Sequence, residues 1–139
     1  MIRIAIAGDF CPRHRLDKLI KNREYEQVLG DVKSFLSDFD LSVVNLEAPV
    51  TTLDETPIKK DGPCFKCNKN AVEALRYSGF HVATLANNHI NDYGAQGVLN
   101  TLKICEYYGI ECVGAGENDK DAAEVKYLAV SDKIIALIN

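Results

Sequence analysis

Apolar and polar positions along the chain fall into short blocks, and their period switches between two and about 3.6 residues. Ile2 to Ala7 is a short, β-branched apolar run that Gly8 stops, which predicts a strand buried on both faces. Between Glu24 and Phe39, the residues Tyr25, Val28, Leu29, Val32, Phe35, Leu36 and Phe39 recur at spacings of three and four. That stripe predicts one amphipathic helix. Leu41 to Leu46 predicts a second strand. Ala48 to Asn68 holds three of the four prolines and several Thr and Lys residues, and predicts a long surface loop.

Lys69 to Tyr77 predicts a helix with Asn68 as N-cap and Gly79 as its stop. Phe80 to Leu85 predicts a third strand, followed by a polar turn from Asn87 to Gly94. A helix from Ala95 to Tyr108 stops at Gly109, and Ile110 to Val113 predicts a fourth strand that ends in Gly114-Ala115-Gly116. Asp119 to Ala123 suits a short helical turn. Val125 to Val130 and Lys133 to Ile138 flank Ser131-Asp132 and predict a hairpin. Strand and helix thus alternate. The expected fold is α/β, a mostly parallel sheet flanked by helices and ending in a β-hairpin, in one domain over residues 1–139.

Open α/β sheets bind ligands beyond the carboxyl ends of their strands. At those ends the sequence places Gly8-Asp9, Asn45-Leu46-Glu47, Asn87-Asn88-His89 with Asp92 three residues on, and Gly114-Ala115-Gly116-Glu117. Oxygen and imidazole donors on one edge suit a divalent cation such as Mn, Fe, Zn or Mg. Such an ion polarises a phosphoryl or carbonyl group and acidifies water. Each residue also has an ordinary reading. Gly-Asp after a strand is a common turn or helix cap, and Glu47 an ordinary loop acid. Asn87-Asn88 suits a left-handed turn, and a lone His is commonly structural. The joint occurrence at one edge carries the functional reading.

Composition narrows the partners. The chain has 139 residues, 47% hydrophobic and 26% charged, which excludes a disordered or collagen-like protein. Lys plus Arg total 16 and Asp plus Glu total 20, a formal charge of −4 that argues against a broad nucleic-acid footprint. Cations and small molecules are the expected partners. No apolar run approaches the roughly 20 residues of a membrane span, and Met1 to Ala7 is too short for a signal peptide. As written, the chain is expected in the cytoplasm with its five Cys reduced. Cys64 and Cys67 form a single Cys-x-x-Cys, half of a zinc ribbon. Lys59, Lys60, Lys66 and Lys69 bias the long loop positive, either as solvated surface or as a hold on an anionic substrate.

The ordered segments Gly8-Asp9, Val44 to Thr51, Lys60 to Phe65, Ala86 to Gly94 and Val113 to Gly116 resemble the CapA family of capsule and poly-γ-glutamate synthesis proteins. The resemblance covers essentially the whole chain, and Ala86 to Gly94 is its most specific part. It implies a metallophosphatase-like fold of the calcineurin-like phosphoesterase superfamily, a two-sheet sandwich with a metal site holding one or two divalent ions. Residues 1–139 would correspond to the N-terminal half of that sandwich. It implies metal ligation by Asp9, Glu47 and Asn88, and a catalytic role for His89 near the leaving group, oriented by Asp92. Asn45, Asn87 and Lys60 are the expected substrate-binding residues.

The sequence departs from the superfamily pattern at several places. Cys11 stands where a His is common, and is either a soft-metal ligand or a packed thiol. Glu47 replaces the common Asp, and the later histidines are missing, since the three present are His14, His81 and His89. Two functions follow as expectations. One is a metal-dependent, phosphoesterase-like hydrolase linked to anionic cell-surface polymer synthesis. The other is a non-catalytic partner in a polymer-synthesis assembly, as a homodimer or alongside a missing C-terminal half.

Overall fold

The computed structural model describes residues 1–51 and 56–139, so part of the predicted long loop, residues 52–55, lies outside the described residues. Strands β1 (Ile4–Phe10), β2 (Leu41–Leu46), β3 (Val82–Thr84) and β4 (Glu111–Val113) form a parallel sheet in chain order. Helices α1 (Arg15–Lys21), α2 (Tyr25–Leu29), α3 (Val32–Leu36), α4 (Asn70–Tyr77) and α5 (Gly94–Tyr108) lie in the connections. A short α6 (Asp119–Ala122) leads into an antiparallel hairpin, β5 (Lys126–Val130) with β6 (Lys133–Leu137). The expected class, a helix-flanked parallel sheet ending in a hairpin, is the fold adopted.

The two-residue period of β2 sorts its side chains onto two cores. Val44 and Leu46 join Ile20, Leu36, Val72, Leu75 and Leu85 under the helices. Leu41 and Val43 turn the other way, with Val82 and Val113, and meet Leu128, Val130, Ile135 and Leu137 of the hairpin. Burying each such side chain contributes roughly 1.5–3 kcal/mol, so β2 anchors both layers. The hairpin closes through the two residues Ser131 and Asp132, with Val130 opposite Lys133. Asn68 works at the start of α4: its Oδ1 accepts from Asn70 N at 2.9 Å, and its carbonyl from Ala71 N at 2.8 Å. Gly109 ends α5 in the left-handed region, with φ 69°.

Four expectations need correction. The first strand is not buried on both faces: β1 is the sheet edge, with Ile6 80% exposed. An apolar run reports composition, not what covers it. The predicted helix over 24–39 is two short helices, because Gly30 takes φ 51° between them. Helix α1 was not foreseen, since only Ile20 within it is fully buried and its stripe is too thin to register. Both ends of the predicted surface loop are interior: Ala48, Val50 and Cys67 are buried, and Val50 bridges Cys67.

The register of β1 against β2 positions the site. Ile6 pairs with Val43, but the next pair is Asp9 with Asn45. Two residues of β1, Ala7 and Gly8, therefore oppose one of β2, a bulge that re-aims the strand end.

Candidate functional site

Beyond the bulge, the carboxyl ends of β1, β2 and β3 meet through side chains. Asn45 Nδ2 donates to Asp9 Oδ1 at 2.6 Å. Asn45 Oδ1 accepts from Thr84 Oγ1 at 3.3 Å and from Asn87 Nδ2 at 3.2 Å. Asn87 also donates to the Leu46 carbonyl at 3.0 Å, and its own Oδ1 accepts from the N–H groups of His89 and Ile90 at 3.1 and 3.0 Å. Asn87 thus staples β2 to the turn after β3, and its amide is spent on folding that turn.

The turn presents a buried ionic cluster. His89 and Asp92 are 8% and 1% exposed. His89 Nδ1 lies 2.7 Å from Asp92 Oδ2, which also accepts from Phe65 N at 2.7 Å. Lys60 Nζ donates to Asp92 Oδ1 and approaches the Asn88 carbonyl at 3.4 Å. Burial alone would push the Asp92 carboxyl up. The hydrogen bonds from Lys60, His89 and the Phe65 N–H, with the Lys60 charge, outweigh it and hold the group below the usual carboxylate range. An ionised Asp92 accepts only, so the network assigns a proton to His89 Nδ1 and leaves Nε2 as the nitrogen open to chemistry. Phe65 fixes the imidazole plane: the two rings stack at 4.0 Å and 19°. The Arg13 guanidinium lies 3.8 Å from the Phe65 ring centre.

The Asp9 end is more open. Asp9 is exposed, and Glu47, just past β2, is half-buried with its N–H bonded to the Phe10 carbonyl at 3.3 Å. Cys11 sits among these groups. A hydrogen bond from Cys67 lowers its thiol, against burial and the charges of Glu47 and Asp9. Cys67 interacts with Cys11, while Cys64 Sγ reaches the Ile58 carbonyl at 3.6 Å. For a divalent ion, Asp9, Glu47 and the exposed Asn88 fit in kind, being hard oxygen donors at neighbouring strand ends. In number they fall short of a full shell: among the described residues no three His, Cys, Asp or Glu side chains converge as a metal site. Water or further donors would complete it.

The structure therefore joins Asp9, Asn45 and Asn87 in one chain of hydrogen bonds, and Lys60, His89 and Asp92 in another. Asn88 stands between them in sequence with its side chain exposed. Sequence reasoning missed Phe65, Arg13 and Thr84. Phe65 carried one usable signal, an aromatic residue in a polar, Pro- and Gly-containing loop; Arg13 carried none. His81 is structural: its Nδ1 accepts from Ser42 N at 3.1 Å and lies 2.8 Å from Ser42 Oγ, and burial with the nearby Arg76 charge lowers its pKa.

Comparison with known proteins gives consistent matches. The profile of the family described as bacterial capsule synthesis protein PGA_cap matches residues 3–139. The chain is 29% identical over 139 residues to the capsule biosynthesis protein CapA of Bacillus anthracis, covering 99% of this chain and 34% of that protein. It is 27% identical over 139 residues to the PGA biosynthesis protein CapA of Bacillus subtilis (strain 168), covering 99% of this chain and 37% of that protein. A probable polyglutamine synthesis accessory protein of Mycobacterium tuberculosis is 39% identical over 77 residues, covering 55% of this chain and 20% of that protein. The chain thus spans about a third of the length of the two CapA proteins it matches. Among the described residues no helix is long and apolar enough to cross a membrane.

Proposed function

The chain belongs to the bacterial capsule synthesis protein family, and from that premise we propose that it forms part of a metal-dependent, phosphoesterase-like hydrolase acting in the synthesis of poly-γ-glutamate or another anionic cell-surface polymer. The observation that carries this reading is the buried His89–Asp92 pair at a strand end, braced by Lys60 and Phe65. A surface histidine needs no such support. A proton-transferring histidine does, because its tautomer and ring direction must be fixed before substrate arrives.

In this reading Asp92 holds the proton on Nδ1 and stabilises the imidazolium when Nε2 is also protonated. As a water oxygen bonds to the scissile centre and the leaving-group oxygen departs, His89 Nε2 gives that oxygen its proton, and the proton released by the water returns the imidazole to its acid form. Lys60 shares the Asp92 charge, which keeps the carboxylate from taking the proton itself. Asp9 and Glu47, with Asn88, would hold one or two divalent ions among Mn, Fe, Zn and Mg. Such an ion supplies electrostatic polarisation of the scissile group. Asn45 orients Asp9, and Asn87 sets the His89 turn beside the bound substrate.

The test is hydrolysis of an aryl phosphodiester with added Mn, alongside metal analysis of the purified protein. His89→Ala is expected to lower turnover by about 10²–10⁴-fold with the fold intact by circular dichroism. Asp9→Ala is expected to lower bound metal as well as turnover. Unchanged activity and metal content in both variants overturns the proposal.

One observation favours a second reading, in which the chain is a non-catalytic member of a synthesis assembly. The β1 edge is open and carries the 80% exposed Ile6, which suits pairing with another chain or a second copy. A concentration-independent monomer in sedimentation would count against it.

A further inference from the structure

Beside His89 lies a groove of 480 Å³ whose charge runs against that of the chain. The protein carries −4 overall, yet Arg13, Lys21, Lys66 and Lys69 line this groove, together with His14. Among the described residues Asp17 is the acid in its wall, and Lys21 already pairs with it at 2.7 Å. Arg13, Lys66 and Lys69 have no carboxylate within ion-pair distance among the described residues. Two of the three rest on aromatic faces: Arg13 on Phe65 at 3.8 Å, and Lys66 over Tyr93 at 5.1 Å. Such seating limits how far the charges wander while leaving their donors available.

The groove is continuous with the candidate site. Phe65 carries Arg13 and also stacks on His89 at 4.0 Å, so one aromatic ring is the wall between the basic groove and the imidazole. Three unneutralised cations set along a trough attract repeated anionic groups, since a single small anion would satisfy one or two of them.

We propose that this groove is a subsite for consecutive anionic groups of an extended polymer, with Arg13, Lys66 and Lys69 as its specificity-determining cations and Phe65 directing the polymer toward His89. The inference rests on the hydrolase reading for what happens at His89, but binding is separable from turnover. A carboxylate polymer and a phosphate polymer share the required chemistry, and the experiment distinguishes them.

The probes are fluorescently labelled poly-γ-glutamate, inorganic polyphosphate and neutral dextran, titrated by anisotropy against the 139-residue chain. At least one polyanion is expected to bind, dextran is not, and affinity falls as salt rises. The triple variant Arg13→Gln, Lys66→Gln, Lys69→Gln is expected to bind roughly tenfold more weakly or worse. Lys103→Gln, on the exposed side of α5, is expected to bind as the parent does. Preference for poly-γ-glutamate or for polyphosphate identifies the source. Binding of neither polyanion, or equal binding by the triple variant, overturns the subsite. His89→Ala separates the two proposals: it is expected to retain binding while losing turnover. If it keeps turnover while the triple variant loses binding, the hydrolase reading fails and the subsite stands.

Discussion

The two ends of the candidate site are built on opposite plans. At the His89 end the groups are interior and each has a partner: Asp92 receives Lys60, His89 and the Phe65 N–H, and Phe65 covers the imidazole. At the Asp9 end the carboxylate is exposed, Asn45 is its one side-chain hydrogen-bond partner among the described residues, and Glu47 stands half-buried nearby. Full satisfaction makes a group rigid and fixes its protonation; partial satisfaction leaves lone pairs for an incoming ligand. The contrast suits a division of labour, with a preorganised proton carrier at one end and open oxygen donors for a cation at the other.

That contrast breaks most sharply on stability. Asp92→Ala leaves the part-buried Phe65 N–H and the buried His89 Nδ1–H without an acceptor, and should destabilise by about 1–3 kcal/mol in urea titration. Asp9→Ala removes one exposed acceptor and should stay within about 0.5 kcal/mol of the parent. Equal losses would erase the distinction between the ends. On cation binding the order reverses: Asp9→Ala should weaken Mn affinity by calorimetry by about tenfold or more, whereas Asp92→Asn should leave it within about threefold. A smaller effect is expected of Phe65→Leu, which keeps apolar bulk but loses the ring stack, about 0.5–1.5 kcal/mol by thermal denaturation.

The pH dependence sharpens the same point. Asp92 is held below its ordinary value, so its contribution to stability is fully present above the unfolded carboxylate pKa of about 3.9. It is lost as pH falls through the lower folded value. His81, lowered by burial and Arg76, acts earlier: the neutral form suits the fold, so stability declines as pH drops below about 6.5 toward its folded value. Urea midpoints across this range should show the lower step vanish in Asp92→Asn while the upper one persists.

Much of this was legible in the sequence because periodicity and punctuation were strong where the fold depends on them. The third and fourth strands, the helix ended by Gly109 and the terminal hairpin followed from short apolar runs between glycines and polar turns. The strand-end rule found Asp9, Asn45, Asn87, His89 and Asp92 without any knowledge of contacts. It did not find how they divide into two clusters, because that depends on a one-residue bulge in β1 and on a loop 24 to 32 residues upstream supplying Phe65 and Lys60. Long-range pairing of this kind leaves no periodic trace. Nor did the pattern show that β1 would be an exposed edge, since Ile4 and Ile6 read alike whether covered or not. The Lys residues of the long loop read as either solvated surface or an anion hold; their placement in one groove with Arg13 is what the structure adds.

The most direct measurement is the side-chain nitrogen spectrum of His89 at neutral pH, assigned by comparison with His89→Gln. The neutral form of the ring is expected to carry its proton on Nδ1, beside Asp92 Oδ2, and to lose that tautomer preference in Asp92→Asn. A neutral ring with its proton on Nε2 in the parent, or one whose tautomer is indifferent to Asp92, would contradict this arrangement.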